Sequence, residues 1–114
     1  MIKDLPKKVA EGKVDENAKD AIANLVKYGF TLESLSDIWG ISQQEAQDLI
    51  IDIFRENLTS REVSSVMKSA YKTLDLLGIP RKYIASKLGL SYDQVSYMFK
   101  KCGLTRRAIL RQLS

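Results

Sequence analysis

The sequence predicts an all-α fold of about seven helices, for three reasons. Apolar residues recur three and four positions apart rather than in alternation, which is the period of an amphipathic helix. The segments are separated by single glycines and not by Asn-Gly or Asp-Gly pairs, so no β-hairpin is indicated. Three boxes of the form Ser/Thr-x-x-Glu/Gln, which mark helix starts, begin at Ser42, Thr59 and Ser91.

The N-terminal half is predicted to hold a basic arm and three helices. Residues 1–14 contain four lysines and little apolar periodicity, so a loose arm is expected there. Asp15, Thr31 and Ser42 are residue types that cap helix N-termini. The expected helices are Asp15–Gly29, Thr31–Ile38 and Ser42–Glu56.

The C-terminal half is predicted to hold four more helices, the first being the longest. Its expected apolar stripe is Val63, Val66, Met67, Ala70, Leu74 and Leu77. Gly78 is expected to end this helix, and Pro80 suits the first turn of the next one. The expected helices are Thr59–Leu77, Pro80–Leu88, Ser91–Lys101 and, capped by Thr105, Arg106–Leu113.

Charge divides the chain at about the same place. Residues 1–57 carry 7 Lys and Arg against 11 Asp and Glu, a net charge of −4, whereas residues 58–114 carry 11 against 3, a net charge of +8. A basic half joined to an acidic half suggests that only one of them faces a polyanion. We therefore expect an arm at 1–14, an acidic unit at 15–57 that serves assembly or partner docking, and a basic unit at 58–114.

Composition disfavours several other classes of protein. No apolar run approaches the roughly 18 residues that span a bilayer, and the first residues lack the apolar core of a secretory signal. The single cysteine, Cys102, fits a reducing cytoplasm, and the absence of histidine removes His-based triads and most zinc sites. We expect no enzyme activity, cofactor, metal or small-molecule substrate, and a cytoplasmic location.

Residues 32–49 and 81–98 share one pattern when they are aligned on Gly40 and Gly89. Each segment has a small residue four positions before the glycine, apolar residues on both sides of it, and a serine two positions after it. Glycine takes a left-handed turn conformation at little cost, and the serine caps the second helix. The pattern predicts a pair of helices packed across a tight turn, in two copies.

This pattern resembles the helix-turn-helix superfamily of DNA-binding proteins, most clearly at Ile84–Ser91. The resemblance covers about 18 residues in each copy. With a preceding helix, it implies two tandem, homeodomain-like three-helix units without a β wing. In this superfamily the helix after the turn enters the major groove, and its outward residues contact base edges.

The resemblance implies base contacts from the outer face of the helix that follows Gly89. The inner face is expected to hold Val95, Met98, Phe99 and Cys102. The base-contacting residues are expected to be Tyr92, Gln94, Ser96, Tyr97 and Lys100. Phosphate contacts are expected from Arg81, Lys82, Lys87, Lys101, Arg106, Arg107 and Arg111. Asp93 is interpreted as a first-turn acid favoured by the helix dipole, with a contact to cytosine as the alternative.

The helix that follows Gly40 is a poorer candidate for DNA, because Asp48 and Asp52 lie on its outer face with Arg55 as its only base. Ile51 and Phe54 widen its apolar face, which predicts a homodimer or protein-partner interface through these two residues. The alternative is that Ile51 packs on the long helix of the same chain.

The sequence therefore predicts a selective binder of double-stranded DNA, a transcription regulator that acts by occupying a site in the nucleoid. A second reading is a recombination, packaging or replication accessory protein, or a sigma-like module, that uses both units in tandem. A third is a protein-interaction adaptor that does not bind DNA.

Overall fold

The computed structural model describes residues 2–104, and over this range the chain is all-helical with no strand. A short 3-10 helix, Ile2–Asp4, precedes seven α-helices. Their bounds are α1 Leu5–Ala10, α2 Glu16–Lys27, α3 Leu32–Trp39, α4 Gln43–Leu58, α5 Ser65–Leu76, α6 Arg81–Leu88 and α7 Tyr92–Lys101. The all-α expectation is confirmed. The helix predicted at Arg106–Leu113 lies outside the described residues.

The chain divides into two compact units, Met1–Glu56 and Asn57–Ser114. In the first unit, residues 2–10 differ from the loose arm that was expected. They are helical, and Leu5 is only 2% exposed. The 3-10 helix packs against α1, α2 and α3. Pro6 in the first turn of α1 favours this local helix, and the buried leucine holds the segment in the unit.

The predicted caps of α2, α3 and α4 are confirmed. The side chains of Asp15 and Thr31 accept hydrogen bonds from backbone N–H groups three residues later, at 2.9 and 3.1 Å. Ser42 forms the predicted box with Glu45, with the serine hydroxyl and the glutamate carboxylate each accepting from the other's backbone N–H. Side-chain caps satisfy N–H groups that have no partner within the helix, so these residues fix where each helix begins.

The predicted start of the fifth helix is wrong. It begins at Ser65, with the Ser64 hydroxyl accepting from the Met67 N–H at 3.2 Å, and not at the Thr59 box. Val63 and Val66, expected in the apolar stripe, are 43% and 46% exposed. The other four residues of the stripe are buried: Met67, Ala70, Leu74 and Leu77. With 12 residues, α5 is also shorter than α4, which has 16.

Tyr71 on α5 organises the core of the second unit. Its ring meets the Phe99 ring edge-on at 5.0 Å between centroids, a favourable geometry for aromatic pairs. Its hydroxyl donates to the Leu58 carbonyl at 2.6 Å. Burial, with a smaller contribution from Cys102, raises the pKa of Tyr71 to about 12. The tyrosine therefore connects α5 and α7 to the end of α4.

Among residues 2–104, no helix is both long enough and apolar enough to cross a membrane.

Candidate functional site

The two glycine-centred turns have nearly the same backbone geometry. Gly40 and Gly89 both adopt left-handed conformations, with φ of 67° and 68°. In each turn the residue after the glycine donates its N–H to a carbonyl five residues back, from Ile41 at 3.1 Å and from Leu90 at 2.9 Å. This hydrogen bond defines a Schellman C-cap. The repeat seen in the sequence is therefore also a repeat of local structure.

After the second turn, a complete capping box fixes the start of α7. The Ser91 hydroxyl accepts from the Gln94 N–H at 3.1 Å, and the Gln94 Oε1 accepts from the Ser91 N–H at 2.8 Å. Because a backbone N–H can only donate, this contact fixes which end of the Gln94 amide faces the backbone. The exposed Gln94 side chain therefore has its oxygen engaged by the cap and its NH₂ group directed elsewhere.

One side of α7 is exposed and carries polar, aromatic and cationic groups. This side, the exposed face of α7, comprises Asp93, Gln94, Tyr97, Lys100 and Lys101. Tyr97 is 57% exposed, and the Lys101 Nζ lies 4.8 Å from the centroid of its ring. On the opposite side, Val95 and Phe99 are buried, and α6 packs against α7. The helix is thus anchored by its apolar side and presents hydrogen-bonding groups outward.

Four of the five predicted base-contacting residues are exposed: Tyr92, Gln94, Tyr97 and Lys100. Ser96 is the exception, because its hydroxyl is buried and makes no hydrogen bond among the described residues. Ser96 follows Val95 directly, so it lies about 100° around the helix from the buried side, close enough for its short side chain to be covered. The prediction of a base contact by Ser96 is wrong for this conformation.

The predicted phosphate contacts divide into three groups. Lys82, Lys87 and Lys101 are exposed. Arg81 is instead half-buried, and its guanidinium donates to the Leu104 carbonyl at 2.7 Å and lies 4.4 Å from the Phe99 ring centroid. These contacts make Arg81 a structural residue and not the free phosphate ligand that was expected. The remaining three lie outside the described residues: Arg106, Arg107 and Arg111.

The partner interface expected at Ile51 and Phe54 is not available in this structure. Ile51 is fully buried and Phe54 is 3% exposed, so another chain cannot reach either side chain unless the fold opens. The expected inner face of α4 is also buried: Ala46, Leu49, Ile50 and Ile53. The apolar side of α4 is therefore as wide as its sequence pattern indicates, and all of it is buried within the chain.

Sequence reasoning gave no role to Arg61, which lies beside α7. The segment between α4 and α5 lines an open groove of about 460 Å³ together with residues of α7. We call this the loop groove, and its lining residues are Leu58, Thr59, Ser60, Arg61, Leu90, Gln94, Tyr97, Met98 and Lys101. Assigning Thr59–Glu62 to a helix hid this arrangement, because the sequence alone does not place a loop against a distant helix.

Cys102 is half-buried. Burial raises the pKa of its thiol, and the charge of Lys68 offsets this effect only in part. A raised pKa keeps the thiol protonated and weakly nucleophilic at neutral pH, in agreement with an interpretation of Cys102 as a packing residue. No group of three metal-binding side chains comes together in the part of the chain that the structure describes.

Comparison of the chain with protein-family models, with curated proteins and with solved structures finds no match.

Proposed function

We propose that this protein is a sequence-selective binder of double-stranded DNA that acts as a helix-turn-helix transcription regulator by occupying its site. The observation that supports this most strongly is the exposed face of α7, where Gln94, Tyr97 and Lys100 project from a capped and well-packed helix. A helix of this kind fits the major groove of B-DNA, and its outward polar residues can meet base edges there. The proposal implies a location on the nucleoid.

In this proposal, Gln94 contacts the bases through the NH₂ group of its amide. Its oxygen already accepts one hydrogen bond, from the Ser91 N–H, and one lone pair is left on it. Contacts donated by the NH₂ group go to guanine N7 or O6, to thymine O4, or to adenine N7. Tyr97 contributes its ring to thymine methyl groups, and Lys100 donates to guanine or to phosphate.

Phosphate contacts come from the exposed lysines of the second unit. Lys82 and Lys87 lie on α6, and Lys101 ends α7. Such contacts add affinity without sequence information and make binding sensitive to salt. The net charge of +8 over residues 58–114 supports this role. Arg106, Arg107 and Arg111 stay predicted phosphate contacts.

Selection from a pool of random duplexes at near-physiological salt tests the proposal. The wild type is run beside the double variant Tyr97→Ala plus Lys100→Ala. A matched control is Lys27→Ala plus Tyr28→Ala, which removes the same two side-chain types from exposed positions of the first unit. We expect an enriched motif with the wild type and the control and none with the α7 variant. If the wild type enriches no motif, the protein is a nonspecific binder or an adaptor.

Binding through both units in tandem is the second candidate, favoured by the matching turn and capping box at Gly40 and Ser42. Gln43 and Gln44 are exposed at the start of α4, as Tyr92 and Asp93 are on α7. The selected motif separates the two candidates. A palindrome indicates two copies of one unit on the DNA, whereas a longer asymmetric site indicates both units of one chain.

A further inference from the structure

The loop groove defined above lies beside the exposed face of α7, within the second unit. One wall is the irregular segment that follows α4, which includes Ser60 and Arg61, and the other is α7, from which Tyr97 and Lys101 project. Three exposed residues of α7 line it: Gln94, Tyr97 and Lys101. A polymer that lies along the exposed face of α7 must therefore pass the mouth of this groove.

The lining of the groove is complementary to a sugar–phosphate chain. It contains two cations, Arg61 and Lys101, and no carboxylate. Thr59 and Ser60 line the loop side, and the apolar side chains on the lining suit the carbon face of a deoxyribose: Leu58, Leu90 and Met98. Arginine forms paired hydrogen bonds to phosphate.

Two parts of the groove are also held in place. Lys101 lies over the Tyr97 ring, which limits the conformations available to both. On the other wall, the Ser60 hydroxyl accepts from the Glu62 N–H and donates to the Glu62 carbonyl, both at 3.3 Å, so a local turn supports the segment that carries Arg61. Prior ordering lowers the entropy lost when a ligand binds.

We propose that the loop groove holds one sugar–phosphate strand of the duplex that α7 contacts, with Arg61 as a phosphate ligand opposite Lys101. This inference rests on the proposed DNA-binding function and extends it to a second structural element. Base contacts come from one helix, and the loop between α4 and α5 fixes how that helix sits along the strand.

The salt dependence of duplex binding tests the role of Arg61, because each phosphate contact contributes about 0.9 to the slope of log affinity against log salt. We expect Arg61→Gln to reduce this slope by about one. It should also lower the affinity for the selected duplex and for a scrambled duplex by the same factor. Between about 50 and 200 mM salt, the wild type should lose about 3.5-fold more affinity than the variant. Arg61→Lys should restore the slope, because lysine keeps the charge.

The matched control is Lys72→Gln, which removes one exposed cation of the same unit away from the groove and should keep the wild-type slope. Arg61 is exposed, so the melting temperature should not change in either variant. Equal slopes for Arg61→Gln and Lys72→Gln, with selective binding intact, would overturn the groove assignment alone. If the wild type binds no duplex selectively, the proposed function fails and this inference fails with it. Arg61-dependent binding of polyglutamate in place of duplex would assign the groove to an acidic protein partner and would also overturn it.

Discussion

Gln94 combines a helix cap and a proposed base contact in one amide group, and the substitution Gln94→Glu separates the two. A glutamate carboxylate can accept the hydrogen bond from the Ser91 N–H that the Gln94 Oε1 now accepts at 2.8 Å. It has no NH₂ group to donate to a base. Gln94→Ala removes both functions and serves as the reference variant.

The two variants should differ in stability. Glutamate is the usual partner in a capping box, and a negative charge in the first turn of a helix is favoured by the helix dipole. We therefore expect Gln94→Glu to stay within about 0.5 kcal/mol of the wild type in free energy of unfolding. Gln94→Ala should lose about 0.5–1.5 kcal/mol, the net contribution of one hydrogen bond. Urea unfolding followed by circular dichroism measures both values.

Gln94→Glu, the more stable of the two variants, should nevertheless be impaired in DNA binding. Gln94→Glu should weaken binding to the selected duplex by about 1–3 kcal/mol, or about 5- to 150-fold, because a base contact is lost and a carboxylate approaches phosphate. Fluorescence anisotropy at fixed salt, with a scrambled duplex as reference, measures this loss. If Gln94→Glu unfolds as easily as Gln94→Ala, the capping argument is refuted. If it binds the selected duplex as tightly as the wild type, Gln94 contacts no base.

Three further substitutions test the fold that presents this site. Gly89→Ala should lower the free energy of unfolding by about 1–2 kcal/mol, because the alanine would have to adopt a φ of 68°. An added Cβ meets no neighbour within 4 Å, so backbone strain is the only cost. An unchanged free energy in urea unfolding would contradict this. Tyr71→Phe should cost about 1–3 kcal/mol, because the buried Leu58 carbonyl loses its donor. Between pH 10 and about 12 the wild type should also lose stability that Tyr71→Phe keeps, because Tyr71 ionises in the unfolded chain before it ionises in the folded one. If the stability of both proteins changed equally with pH, the raised pKa of the buried hydroxyl would be refuted. Burial, offset in part by the charge of Arg81, raises the pKa of the Asp75 carboxyl above its ordinary value of 3.8. Above pH 3.8 the unfolded chain therefore ionises at this residue before the folded chain does, and the folded state loses stability. Asp75→Asn should then melt higher than the wild type at pH 7 and lose this advantage below pH 3.8; a lower melting temperature at pH 7 would show that the attraction to Arg81 dominates.

Helix positions follow from local chemistry, and the sequence predicts them well where one cap dominates. Asp15, Thr31, Ser42 and Ser91 each cap the helix that was expected to follow. The start of α5 was predicted wrongly because two residues of capping type, Thr59 and Ser64, precede this helix. The Thr59 box fits the sequence rule, but Ser64 makes the cap. The Leu58 carbonyl instead accepts a hydrogen bond from a tyrosine 13 residues away, which no local rule includes.

The site is less predictable than the helices, because exposure depends on how many neighbours surround a helix. Helical periodicity gives the direction of Ile51 and Ser96 relative to the core. Ser96 was expected outside, and Ile51 was expected either at a partner interface or against the long helix of the same chain. The structure buries Ile51 completely and encloses the Ser96 hydroxyl. Arg81 was interpreted as a surface cation, yet its guanidinium reaches Leu104 and Phe99. In each of these cases the exposure of the side chain depends on contacts with distant segments, and local sequence patterns do not predict such contacts.

The most direct test of the central claim is an NMR titration of the ¹⁵N-labelled full chain with the selected duplex. Backbone amide shifts report which helix contacts DNA. If α7 makes the base contacts, the largest changes should fall within residues 92–101 and in the loop at 59–61, while α4 changes little. Changes concentrated in α4, or none in α7 at saturating duplex, would contradict the claim.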